Sequence, residues 1–250
     1  MKALIMAAGY AVRLYPLTQN QPKPLLPIAG KPIIEYIIEK LEVFQEIDEI
    51  YVVTNNKFYP HFLNWNEKYK SNKKIEILND GTLSPEDRLG AIGDINFTIK
   101  NKKINDDLLI IAGDNLFDFG LKELKEYFQN KQLVICAYDV GDIELSKKYG
   151  ILSVNGNGKV YSFLEKPAQP PSTLAALGIY LFKKDKLSLI DRYLNEGNNH
   201  DAPGFFIQWA YQVEDVYAYV FKGNWYDIGD MISYKKADDF YNKLMSQIKK

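Results

Sequence analysis

The sequence predicts an α/β fold of three layers: a mostly parallel central sheet between helices, with a small antiparallel insertion. Three observations carry that expectation. From Lys2 to Tyr138, short apolar runs alternate with longer amphipathic ones. That β-α-β-α order becomes a parallel sheet covered on both faces when the crossovers are right-handed. Past Tyr149 the pattern changes to short strands joined by a tight turn, as in a hairpin. Finally, 250 residues of which 46% are hydrophobic can fill one large core.

The elements follow in order. KALIMA (2–7), EIYVVT (49–54), KIEIL (74–78), DLLIIAGD (107–114) and QLVICAY (132–138) are short apolar runs of strand length. Between them, PIIEYIIEKLEVF (32–44), KFYPHFLNWNEKYK (57–70), RLGAIGDINFTIK (88–100) and LKELKEYFQ (121–129) space their apolar residues as helices do. GILSV (150–154), the turn NGNG and KVYSFLEK (159–166) read as a hairpin. TLAALGIYLF (173–182) and VYAYVF (216–221) are further strands, and 231–250 is a helix with a lysine-rich solvated face. No linker, repeat or low-complexity tract interrupts the chain, so one domain over 1–250 is expected.

Composition excludes several classes. A net charge of −1 argues against a general nucleic-acid surface. The one cysteine, Cys136, allows no disulfide framework or thiolate cluster, and its apolar run makes it a buried structural thiol. No apolar run approaches the roughly 20 residues of a membrane helix, and the N-terminus lacks a signal-peptide pattern. A soluble cytoplasmic protein without a membrane partner is expected, with a homo-oligomer left open.

In open α/β sheets, ligands bind beyond the carboxyl ends of the strands. After the first strand comes AAGYAVRLYPLTQNQPKPLLPIAGKP (7–32), after the third NDGT (79–82), and after the fourth GDN (113–115). EKP (165–167) ends the hairpin, and WYDIGD (225–230) precedes the last helix. The opening loop contains neither GxGxxG nor GxxxxGK[ST], which excludes the dinucleotide fingerprint and the P-loop. Its Ala7, Ala8 and Gly9 permit close backbone approach. Arg13 offers a planar fork to phosphate oxygens, and Lys23, stiffened by Pro22 and Pro24, offers a point charge. Asp114 at the mouth of a buried strand needs a compensating partner, and Mg²⁺ with Asp227 as second ligand would supply one. On the residues alone, plainer readings stay open: solvated charges on a turn, Asp114 as a helix cap, Asp227 in a turn, Glu165–Lys166 as a surface ion pair.

The opening loop resembles the signature of sugar-1-phosphate nucleotidyltransferases, roughly G-G-x-G-T-R-L, P-L-T, P-K-P-L-L-P-[IV] and K-P. GDN, LEKP followed by GIYLF, and WYDIGD resemble that family's later motifs in the same order. The likeness covers nearly the whole chain and leans toward the glucose-1-phosphate thymidylyltransferases. Four positions depart from the pattern. Ala11 replaces the second loop glycine and Val12 the Thr before the Arg. Asn79 and Asp80 stand where a base-reading Gln is usual, and Asp230 replaces the closing Thr.

The resemblance implies a Rossmann-like fold in which 1–115 hold the nucleotide, and 116–250 hold the sugar phosphate and end in a helix. It implies that an NTP and a sugar 1-phosphate give an NDP-sugar and pyrophosphate. The nucleophile is already an anion, so the protein's tasks are to position and to neutralise, and His61 and His200 need no catalytic role. The roles implied are these. Arg13 holds the triphosphate, and Lys23 bridges the α-phosphate and the incoming phosphate. Asp114 and Asp227 bind Mg²⁺. Lys166 clamps the sugar phosphate, Glu165 accepts sugar hydroxyls, and Gly178 lets the sugar lie against the backbone with Tyr180 nearby. Ala8, Gly9, Gly81 and Gly90 offer backbone groups to the nucleotide, and Asn79 with Asp80 meets the base, near 89–91. That edge suggests dTTP or UTP with glucose 1-phosphate. Three rivals stay open: a cytidylyltransferase for phosphocholine or another non-sugar phosphate, a catalytically silent nucleotide-binding homologue, and a glycosyltransferase, whose D-x-D is absent from GDN.

Overall fold

The computed structural model describes residues 1–42 and 44–248. The first half runs β1 (Lys2–Met6), β2 (Pro27–Ile28), β3 (Lys31–Pro32), α1 (Ile33–Glu42), β4 (Glu49–Thr54), α2 (Tyr59–Lys68), β5 (Lys74–Asn79), α3 (Gly90–Lys102), β6 (Leu108–Ala112) and β7 (Asn115–Phe117). The second runs α4 (Lys122–Phe128), β8 (Leu133–Asp139), α5 (Ile143–Ser146), β9 (Gly150–Val154), β10 (Val160–Glu165), β11 (Leu174–Phe182), α6 (Ser188–Asn195), α7 (Pro203–Val213), β12 (Val216–Phe221), β13 (Trp225–Asp227) and α8 (Met231–Ile248). The final helix therefore matches the expectation as far as Ile248; Lys249 and Lys250, like Val43 of the first expected helix, lie outside the described residues.

Every strand expected from the sequence is present. β1, β4, β5 and β6 are parallel neighbours in the spatial order β6-β1-β4-β5. The chain steps from β1 outward to β4 and β5, then returns to the other side of β1 for β6. The carboxyl ends of β1 and β6 therefore flank a topological switch point, where α/β sheets bind ligands. Gly113 is what lets the chain leave β6 here. Its N–H donates to the Met6 carbonyl at 2.8 Å, and a Cβ on it would lie 2.7 Å from that oxygen.

The antiparallel part is woven into the same nine-stranded sheet. β11 pairs antiparallel with both β6 and β8, β12 lies parallel to β8, and the β9–β10 hairpin joins through Ala175 opposite Ile151. β11 shifts register between Ala176 and Tyr180. Gly178 sits at that irregularity with φ +68, and a Cβ on it would crowd Ala112.

Side chains alternate faces along each strand, which builds the layers. Ile5, Val52 and Ile111 pack under α1, α2 and α4; Leu4, Val53 and Ile110 pack under α3, α6 and α7. Cys136 is fully buried in the first of these clusters. A third cluster joins Leu14, Leu26 and Ile28 of the opening loop to Ile228, Ala237 and Tyr241, so α8 braces that loop. The sequence offered no assignment for 183–215, which folds as α6 and α7. The apolar residues of α6 follow a helical spacing for only about two turns, and most positions of α7 are apolar, so the period of the first is short and that of the second is masked.

Candidate active site

A cleft of two lobes opens at the switch point. The larger, about 570 Å³, is lined by the opening loop from Met6 to Arg13, with Lys23, Asp80, Arg88, Asp94 and Asp114. The smaller, about 180 Å³, is lined by residues in or beside β9, β10, β11 and β13, among them Tyr149, Glu165, Lys166, Gly178, Tyr180 and Asp227. Both lobes share Ala112, Asp114 and Pro203, so Asp114 stands at their junction.

The backbone of the opening loop is fixed from behind. Ala7 N–H donates to Val53, and Ala8 accepts from Asn55 Nδ2 at 2.8 Å. A Cβ on Gly9 would meet no atom within 4 Å, so Gly9 leaves open space on the cavity side. Ala11 has φ +50, a left-handed conformation that a glycine adopts without strain. The departure from the family pattern therefore falls where the backbone itself favours glycine. Val12, 53% exposed, adds an apolar surface at the rim and no hydroxyl.

At the junction, Lys23 Nζ meets Asp114 Oδ2 at 2.6 Å and donates to the Ile228 carbonyl at 3.0 Å. Ile228 N–H donates back to the Asp114 carbonyl at 3.1 Å, which ties the end of β6 to the end of β13. The Asp227 carboxyl is raised by burial and by the charge of Asp114, against which Lys23 and Arg13 act. Arg13 lies close by: a Cβ on Gly229 would be 3.7 Å from its Nη2 and 3.5 Å from Asp227 Oδ2. Asp114 is not a helix cap, because β7 follows it. The two aspartates, with oxygen donors only, suit a hard cation such as Mg²⁺. Crowding that raises one of them is the strain that such a cation relieves. Asp230 Oδ1 accepts from the N–H groups of Ile232 and Ser233, so it caps α8, a task at which Asp and Thr are both good.

In the smaller lobe, Glu165 is only 8% exposed at its side chain, which is not the setting of a surface ion pair. Burial raises its pKa, partly offset by Lys166, whose Nζ is 3.6 Å away. Two glycines make room for it: a Cβ on Gly204 would lie 1.7 Å from Glu165 Oε2, and one on Gly150 2.9 Å. Lys166 has φ +46, and its N–H donates to the Tyr149 carbonyl at 3.0 Å. A strained non-glycine backbone at a cleft is a known mark of functional sites. Tyr180 is buried, which raises its hydroxyl pKa, and Tyr149 is raised to about 12 by burial. Trp225 packs 5.0 Å from Tyr149 and donates to Asn115 Oδ1.

The cleft gathers Ala8, Gly9, Arg13, Lys23, Gly90, Asp114, Glu165, Lys166, Gly178, Tyr180 and Asp227. It does not gather Asn79 or Gly81. Asn79 Nδ2 donates to Asn56, and Asn79 Oδ1 accepts from Gly81 N–H, so this pair closes a turn. Gly90 reaches the wall for a packing reason as well: with φ +73, its Cβ position lies 2.4 Å from the His200 carbonyl oxygen. The neighbouring N–H groups of Ala91 and Ile92 donate to Asp201 and His200. Among the lining residues that were not singled out from the sequence are Arg88, Asp94, Lys148 and Tyr149. For Asp94 a signal existed, since it shares the buried face of α3 with Ile95 and Thr98.

A sequence model of the family described as Nucleotidyl transferase matches residues 2–243. The chain is 30% identical over 254 residues to the bifunctional protein GlmU of Methanocaldococcus jannaschii, covering all of this chain and 56% of that protein. The chain thus spans little more than half the length of the first curated relatives it matches. It is also 30% identical over 270 residues to the glucose-1-phosphate adenylyltransferase of Clostridium novyi, covering 97% of this chain and 70% of that one. Among solved structures, a UDP-glucose pyrophosphorylase with UDP-glucose superposes with a TM-score of 0.80 at 24% identity, covering 97% of this chain and 98% of that one, a likeness of fold. No described helix is long and apolar enough to cross a membrane.

Proposed function

The chain belongs to the nucleotidyl transferase family, among the sugar-1-phosphate nucleotidyltransferases, and from that premise we propose that it joins an NTP to a sugar 1-phosphate and releases pyrophosphate. The substrates we propose are glucose 1-phosphate with dTTP or UTP. The observation that carries the reading is the Lys23–Asp114 pair at the junction of two lobes, with Arg13 and Asp227 beside it.

The nucleotide lies in the larger lobe, with its base toward Asp80 and Gly90 and its phosphates along the opening loop and Arg13. The sugar 1-phosphate lies in the smaller lobe, its hydroxyls on Glu165 and its phosphate on Lys166. Lys23 neutralises both phosphates where they meet, so that two polyanions can approach in line. Arg13 stabilises the charge that builds on the departing pyrophosphate. Asp114 and Asp227 are the residues that would hold Mg²⁺, which when bound supplies further charge neutralisation at the phosphates.

Pyrophosphate release from a panel of NTPs against sugar 1-phosphates tests the proposal. Release with at least one pair is expected. Folded protein that releases none from any pair, with Mg²⁺ present, contradicts it. The Tyr149 and Trp225 rings give a second reading some ground, because aromatic walls suit a quaternary ammonium. Phosphocholine with CTP therefore belongs in the panel, and its use in place of every sugar 1-phosphate would favour that reading.

A further inference from the structure

Among the described residues, two buried side-chain polar atoms have no hydrogen-bond partner: Tyr10 Oη and Asp94 Oδ1. Both residues line the larger lobe, and each is 7% exposed. A buried polar atom left unpaired costs about 1–3 kcal/mol, and native structures hold few. Both belong to side chains in the wall of one cavity, which marks that wall as the place to look for polar recognition.

Asp94 faces Asp80, the residue after β5. Asp80 Oδ1 is already engaged, accepting from Thr82 N–H at 2.7 Å and from Thr82 Oγ1 at 2.8 Å. Burial, with the Asp80 charge second, raises the Asp94 pKa to about 8, so at neutral pH Asp94 is a carboxylic acid that hydrogen-bonds Asp80. Its proton committed there, the other oxygen of the Asp94 carboxyl is left as an acceptor with no donor to go with it. A carboxyl turns over a broad, roughly two-fold well about its last bond, so this oxygen can meet a group that enters the lobe. Arg88 lines the same lobe. Asp201 holds its Nε at 2.8 Å and the Pro85 carbonyl its Nη1 at 2.6 Å, which leaves Nη2 free among the described residues.

An acceptor and a cationic donor in one wall complement a ring N–H beside a carbonyl. Uracil, thymine and guanine carry that edge. Cytosine and adenine carry a bare ring nitrogen in its place, whose lone pair would confront the Asp94 oxygen. We propose that Asp94, oriented by Asp80, is the specificity-determining residue for the nucleobase: it selects bases with a ring N–H beside a carbonyl, whose oxygen Arg88 receives. The proposal rests on the nucleotidyl-transfer reading and narrows its substrate class.

The test is kcat/KM for UTP, dTTP, GTP, CTP and ATP at a fixed sugar 1-phosphate, read by pyrophosphate release. In the wild type, the best of UTP, dTTP and GTP should exceed both CTP and ATP by about 100-fold or more, since a site built to bond an N–H rejects an analogue lacking it. Asp94→Asn should keep that preference, because its amide N–H replaces the acid proton toward Asp80 and its oxygen stays an acceptor. Asp94→Leu should reduce the preference to less than about tenfold without changing the KM for sugar 1-phosphate. Should the leucine variant not fold, Arg88→Met, at an exposed position, serves instead: it should lower kcat/KM for the preferred bases about tenfold or more and spare CTP. Wild-type use of CTP or ATP on a par with the others overturns the inference. So does an undiminished preference in folded Asp94→Leu or in Arg88→Met, or its loss in Asp94→Asn. Those outcomes leave nucleotidyl transfer standing, whereas no release with any nucleotide overturns both.

Discussion

The two lobes of the cleft are built in different ways. The larger is walled by the ends of parallel strands and by a loop of small residues, so much of what it presents is backbone held from behind by Val53 and Asn55. The smaller is walled by antiparallel strands and presents mainly side chains. There Lys166 departs at φ +46, and Glu165 is seated over Gly150 and Gly204. Backbone groups stay in place whatever the side chains do, whereas a lysine reaches its target only if its strand holds it. The loop side of the larger lobe thus suits the phosphates common to any NTP, while its Asp94 and Arg88 side chains are where a base would be chosen. The smaller suits a choice among phosphate esters. Asp114 lines both lobes, and Lys23, which lines the larger, is paired to it there.

The largest expected effect lies at that junction. Asp114→Asn, and separately Asp227→Asn, should leave the circular dichroism spectrum intact and lower turnover by about 10²–10³-fold, the scale of losing one transition-state stabiliser. Near-normal turnover in a folded variant would remove the junction from the chemistry and leave two unrelated pockets.

A smaller effect sharpens what is special in the larger lobe. Asp94 has its pKa raised to about 8 by burial and by Asp80. In the unfolded chain an aspartate titrates near 3.9. A group with the higher pKa in the folded state stabilises the fold fully below the unfolded value, and that contribution is lost as pH rises toward the folded one. Wild-type stability should therefore fall between about pH 4 and pH 8 through this residue. Asp94→Asn has no such titration, so its unfolding temperature relative to wild type should rise by about 3 °C or more from pH 5 to pH 8, roughly 1 kcal/mol in a domain of this size. An unchanged difference between the two proteins across that range would mean that Asp94 is an ordinary ionised carboxylate.

The smallest effect is at the rim of the same lobe. Ala11→Gly releases the strain of φ +50 and adds unfolded-state entropy, two terms of about 1 kcal/mol or less that oppose each other. Stability should change by less than about 1 kcal/mol in denaturant unfolding. A larger loss would show that the Ala11 methyl contributes packing.

How far the cleft can be read from the sequence follows the same division. The opening loop, Asp114 and Asp227 are legible because each stands directly after a strand whose apolar run is unmistakable, and β4 coincides with the run EIYVVT. The wall proposed to read the base is much less so. Asn79 ends β5 opposite Thr54, and Asp80 follows it. Adjacent residues of an extended chain point to opposite sides, so of the pair expected at the base only Asp80 lines the cavity. Arg88 and Asp94 reach the cavity only because the loop before α7 is drawn against the start of α3, where Gly90 packs on His200. That contact joins residues more than a hundred positions apart, and no local pattern announces it. α6 and α7 themselves escaped because the apolar stripe of α6 is only about two turns long and apolar residues occupy most positions of α7, which masks a helical period.

The division of the cleft is the central claim, and steady-state kinetics of two variants tests it most directly. With both substrates varied, Arg13→Ala should raise the KM for the NTP about tenfold or more and leave that for the sugar 1-phosphate nearly unchanged. Lys166→Ala should do the reverse. If both variants raise the same KM, the two lobes do not hold separate substrates, and the account is contradicted.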